Sequence, residues 1–151
     1  MPRRRQDHEP LAAVAERGWR YHHVGIPTTR RRRGEVHLRD YGLFVSGFST
    51  SPYGIEWMRF ENTSPVSEII RTVPHVAFAV DDLDAAVKNC TLLGRISSPS
   101  KGVRVAMILH NGAPVELLEF RRGNAPGSRR RHSVTGRRPR AHRRRTATHG
   151  G

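Results

Sequence analysis

The chain repeats itself, and the repeat limits its fold more than any other feature. His23-Val24-Gly25-Ile26 and His75-Val76-Ala77-Phe78 are variants of one segment, and Gly54-Ile55-Glu56-Trp57-Met58-Arg59-Phe60 and Pro114-Val115-Glu116-Leu117-Leu118-Glu119-Phe120 are variants of another. Each half therefore opens on a histidine strand and closes on a glutamate strand. Units repeated in this way bury one shared core and leave a site where they meet. Alignment of the copies puts His23 with His75 and Glu56 with Glu116.

The second copy is the clearest local signal. Residues 75–80 alternate, with His75, Ala77 and Ala79 on one face and the bulkier Val76, Phe78 and Val80 on the other. Pro74 precedes them, and Asp81-Asp82-Leu83-Asp84 follows, where carboxylates suit the positive end of a helix. The pattern predicts a strand ending at Val80 and a helix capped by Asp81. A histidine alone on a strand is more often a core residue than a functional one. The matching His23 makes His75 a candidate.

Residues 10–17 have a helix-forming composition bounded by Pro10 and Gly18. Residues 19–26 read as a strand ended by Pro27, and residues 41–48 as a strand with bends at Gly42 and Gly47. Between them, residues 28–40 have no helical periodicity, and Arg30 to Arg33 read as a solvated loop. Residues 55–61 are the closing strand of the first half, and Ser64-Pro65 opens a brief helical linker to Arg71. In the second half, residues 92–96 read as a short strand and residues 97–102 as a flexible loop. Residues 103–110 and 113–120 form a hairpin about Asn111-Gly112.

With 151 residues the chain suits one domain. The net charge of +14 is unevenly placed: residues 121–151 hold eleven arginines and no acid, so residues 1–120 carry only +3. Residues 121–151 are nearly devoid of apolar side chains and are expected to be disordered, binding polyanions nonspecifically rather than any particular nucleic acid. Residues 1–19 read as an extension. Cys90 is the single cysteine, which excludes an internal disulfide and a thiolate-rich zinc site. No apolar run is long enough for a membrane span or a signal peptide, so a cytoplasmic location is expected.

The strand at residues 22–26, the strand and helix at 75–86 and the strand at 114–120 together resemble the vicinal-oxygen-chelate superfamily, which includes glyoxalase I, methylmalonyl-CoA epimerase, extradiol dioxygenases and bleomycin-binding proteins. The resemblance covers residues 20–120. It implies an α+β fold of paired βαβββ modules, at 20–61 and 74–120, forming an incomplete mixed β-barrel, the first module lacking a clear helix. It also implies a divalent metal (Mn, Fe, Co, Ni or Zn) on His23, Glu56, His75 and Glu116. Two imidazoles and two carboxylates suit such an ion. The function implied is that of a metal-dependent lyase or isomerase acting on a small substrate with two adjacent oxygens through a stabilised enolate, with Glu56 or Glu116 as the catalytic base. Two alternatives are a metal-free antibiotic-binding protein with Trp57, Phe60 and Phe48 lining its cleft, and an Fe(II) extradiol-type dioxygenase. A homodimer is expected, since an incomplete barrel leaves sheet edges open. Glu119 lies out of phase with Glu116, aligns with Arg59, and is expected to be solvated.

Overall fold

The computed structural model describes residues 3–121. Expectations for the arginine-rich tail concern residues outside that range, apart from Arg121. After a short helix α1 (Ala12–Ala15), strand β1 (Arg20–Pro27) ends where Pro27 brings no backbone donor. Strands β2 (Val36–Leu38), β3 (Leu43–Ser46) and β4 (Ile55–Phe60) complete the first half, and no helix intervenes between β1 and β2. The linker carries α2 (Glu68–Thr72). The second half runs β5 (His75–Val80), α3 (Leu83–Ala86), β6 (Thr91–Leu92), β7 (Ser97–Ser100), β8 (Val103–His110) and β9 (Ala113–Phe120).

The nine strands form one mixed sheet in the order β2-β3-β4-β1-β5-β9-β8-β6, with β7 also paired to β8, and the sheet curls into a half-barrel. The fold is α+β and the barrel is incomplete. Its internal symmetry is visible in the register. Strand β4 lies parallel to β1 with Glu56 opposite Gly25, and β9 lies parallel to β5 with Glu116 opposite Ala77. In each half the glutamate faces the residue two places after the histidine. The halves join through antiparallel β1 and β5 about Val24 and Val76, with His23 opposite Ala77 and His75 opposite Gly25.

Several local details depart from the sequence reading. Asp82, not Asp81, caps α3 by accepting a hydrogen bond from the Ala85 amide at 3.0 Å. The strand expected over 41–48 is confined to β3, because Gly42 (φ 55°) and Gly47 (φ 92°) turn the chain out of extended geometry at either end. Much of the loop expected over 97–102 is strand β7, and the preceding strand is reduced to β6. The hairpin has its expected form, with Asn111 (φ 49°) and Gly112 (φ 74°) both left-handed as a type I′ turn requires.

Phe78, Val80, Leu83, Ala106, Ile108 and Leu117 form the core on one side of the sheet, with Trp19 and α3 packed on it. Leu83 and Leu117 are fully buried. On the other side Ala77, Val105 and Leu118 make a smaller cluster. Cys90 is half-buried, its thiol against the Ala86 carbonyl. Among the described residues no helix is long and apolar enough to cross a membrane.

Candidate metal centre

The two central strands bring the two histidines together. His23 is 4 % exposed and His75 2 %, and their Nε2 atoms are 3.2 Å apart. Glu116 reaches both rings, its Oε2 lying 2.8 Å from His75 Nε2 and 3.4 Å from His23 Nε2. One donor atom from each of His23, His75 and Glu116 lies within 4.8 Å of the others, and this group could hold a metal ion. Glu56 stands further off, its Oε1 3.9 Å from His23 Nε2. Three of the four residues singled out in the sequence thus form a tight cluster with the fourth beside it.

Two neighbours fix the rings. A Cβ at Gly25 would come within 2.1 Å of His75 Cε1, so the ring occupies space that only glycine leaves free. His75 Nδ1, on the far side of that ring, is the one buried side-chain polar atom without a hydrogen-bond partner among the described residues. Packing therefore holds the Nδ1 side of the His75 ring, while Nε2 is held by Glu116. His23 has its Nδ1 2.7 Å from Nδ1 of His22, whose ring stacks on Phe48 at 4.9 Å and 16°. The sequence offered the His22-His23 doublet and the glycine, but neither contact follows from residue spacing.

The electrostatics separate the two glutamates. Burial pushes the Glu116 carboxyl up, yet hydrogen bonds from His23 and His75, with the charge of both rings, outweigh it and hold Glu116 down at about 2. Burial lowers His23, but the hydrogen bond and charge of Glu116, with Glu56 behind, leave that ring above its ordinary value. Glu56 goes the other way: burial raises it, and the pull of His23 and His75 does not cancel that. Glu116 is the firmer anion of the two, and Glu56 takes up a proton more readily. Burial and the adjoining His23 keep His22 below the usual imidazole range.

The cluster opens on a cavity of about 660 Å³ with Glu56, His75 and Glu116 at its floor. Leu43, Val45, Met58 and Phe60 line one wall, and Val105 and Met107 another. Of the three aromatics considered for a cleft, only Phe60 lines this cavity. Trp57 lies under the Arg32 guanidinium at 4.5 Å, and Phe48 packs on His22 and His23. Arg30 to Arg33 are exposed, and their loop is tied down at Glu35, which takes the Arg59 guanidinium at 2.9 and 2.6 Å.

No protein-family model and no curated protein matches the chain. Among solved structures, a hypothetical protein from Bacillus halodurans superposes with a TM-score of 0.54 at 16% identity, covering 72% of this chain and 99% of that one. The chain shares its fold with that protein. A methylmalonyl-CoA epimerase from Mycobacterium tuberculosis also matches, with TM-score 0.49, 19% identity, and coverage of 79% of this chain and 95% of that one. The cluster lies where β4, β1, β5 and β9 run side by side in the sheet.

Proposed function

We propose that the chain is a metal-dependent lyase or isomerase of glyoxalase type, acting on a small molecule with two adjacent oxygens and an acidic C–H bond. The observation that carries this reading is the convergence of two imidazole nitrogens and a carboxylate oxygen within 4.8 Å beside a ligand-sized cavity. The donor set fits a divalent ion. His23 Nε2 and His75 Nε2 face each other at 3.2 Å, an arrangement that needs either a shared proton or a cation. His23, His75 and Glu116 would hold the ion, with Glu56 as the fourth group of the site. When bound, such an ion supplies positive charge beside a carbon acid and so makes its proton easier to remove.

The remaining roles belong to the chain. Glu56 is the base: it lines the cavity, burial raises its proton affinity, and it is not engaged by both histidines as Glu116 is. The apolar walls exclude water from the proton in transit and hold the body of the substrate. The same walls favour, as a second reading, a metal-free binder of an apolar antibiotic.

The test is carbon–deuterium exchange in D2O, followed by NMR on a panel of hydroxyketones, 2-oxoaldehyde adducts and acyl compounds with the full-length metal-loaded protein. At least one member should exchange, and Glu56→Gln should abolish exchange while retaining the ion. Exchange that survives in Glu56→Gln would remove Glu56 as the base. Tight binding of a panel of apolar antibiotics by protein that takes up no metal would favour the second reading.

A further inference from the structure

Strand β1 carries one irregularity, and it falls beside the cluster. Tyr21 lies opposite Phe78 and His23 opposite Ala77, so β1 spends an extra residue, His22, where β5 spends none. A bulge of this kind re-aims side chains that strict alternation would send to opposite faces. Here it brings two consecutive imidazoles together, Nδ1 to Nδ1 at 2.7 Å. His22 is held by the Phe48 stack and by Phe120, whose ring centre is 5.5 Å away.

Two Nδ1 atoms at that distance must be one donor and one acceptor. His75 Nε2 makes the closest contact to Glu116 in the cluster, at 2.8 Å, and a metal ion held by His23 would take the electron pair of its Nε2, leaving the single proton of the neutral ring to Nδ1. The His23 proton then lies on Nδ1, and His22 Nδ1 is the acceptor. We propose that His22 is a positioning residue for His23: by accepting the Nδ1 proton it fixes the tautomer and ring angle that leave His23 Nε2 free to bind a metal ion. This rests on the reading of His23, His75 and Glu116 as a metal site. Ligand histidines ordinarily give their second N–H to a carboxylate or carbonyl; in this chain a bulged neighbouring imidazole takes that role.

Two variants of the full chain separate acceptor from packing. His22→Phe keeps an aromatic ring on Phe48 and has no acceptor, whereas His22→Asn loses the ring and offers a carbonyl oxygen near the Nδ1 position. Zn2+ affinity is read by competition with a chromophoric chelator at fixed pH, with circular dichroism and thermal melting to confirm folding. His22→Phe should bind Zn2+ roughly 10 to 100-fold more weakly than wild type, the usual size of such an effect, and His22→Asn should stay within about threefold. Equal affinity of His22→Phe and wild type, or equal loss in both variants, would overturn the proposal. If wild type itself takes no Zn2+, the metal reading falls, and 15N NMR of the His23 ring in metal-free protein, at a pH where the rings are neutral, decides the matter. A proton on Nδ1 in wild type and a tautomer mixture in His22→Phe would support the role of His22. A proton on Nε2 in wild type would end it.

Discussion

At the residue scale, the tightest constraint on the site is the absence of a side chain. Gly25 does not have a left-handed backbone; it is needed because its partner across the strand pair, His75, fills the space a Cβ would take. Gly25→Ala should therefore drive the His75 ring out of place, lowering both the melting temperature and metal affinity. Replacing His75 by Ala in the same chain should restore much of the melting temperature but not the metal, a coupling readable as a double-mutant cycle. If Gly25→Ala melts like wild type and binds metal normally, the packing argument fails. Glu119 shows how a residue can be read on the correct face and still be misjudged. It faces away from Glu116, as its phase implies, but it is not simply solvated. Its Oε2 accepts the Leu83 amide at 2.7 Å at the start of α3, and Arg104 approaches Oε1 at 3.4 Å. The alignment of Glu119 with Arg59 gave no hint of this, because the helix it caps has no counterpart in the first half. Glu119→Gln should weaken the protein by about 1 kcal/mol, in line with loss of a charge-assisted hydrogen bond, and leave metal affinity unchanged. Denaturant titration beside chelator competition checks both parts.

At the scale of elements, alternation and punctuation made the central strands legible. The apolar run of β5 between Pro74 and the Asp pair, and the Asn111-Gly112 hairpin, state their geometry locally, and the structure agrees. Elements governed by distant partners were less legible. β7 is a strand because β8 pairs with it, although Ser-Ser-Pro-Ser has little strand character of its own. The bulge at His22 arises from the register of β1 against β5, which no single strand encodes. The loop between β1 and β2 is likewise held from outside, by Glu35 on Arg59, with Arg59 over Phe44 at 4.2 Å. That bond holds the Glu35 carboxyl down to about 2 from an ordinary 4.5. A carboxyl with a depressed folded value stabilises the fold fully above its unfolded range, and the contribution disappears as pH falls through the folded value. Glu35→Gln should thus melt below wild type at neutral pH, with the difference vanishing as pH falls from about 4.5 towards 2. A difference independent of pH would show that the ion pair is not what ties the loop.

At the scale of the whole molecule, the twofold repeat builds the half-barrel and the site together. The same register that stacks Glu56 against Gly25 and Glu116 against Ala77 also turns both histidines inward. The repeat was readable from residue identities alone; the unequal standing of the two glutamates was not, because it depends on distances set by side-chain packing. The core that carries this arrangement is on the opposite side of the sheet, and Leu117, fully buried one residue from Glu116, links them. Leu117→Ala should cost about 2 to 5 kcal/mol of stability in denaturant unfolding. The most direct test of the central claim is elemental analysis of the full chain, stripped with chelator and then dialysed against a mixture of Mn, Fe(II), Co, Ni and Zn. The expected result is one tightly held divalent ion per chain, retained by Glu119→Gln and lost by a folded Glu116→Gln. A wild-type protein that emerges without metal, or a Glu116→Gln variant that keeps it, would contradict the account.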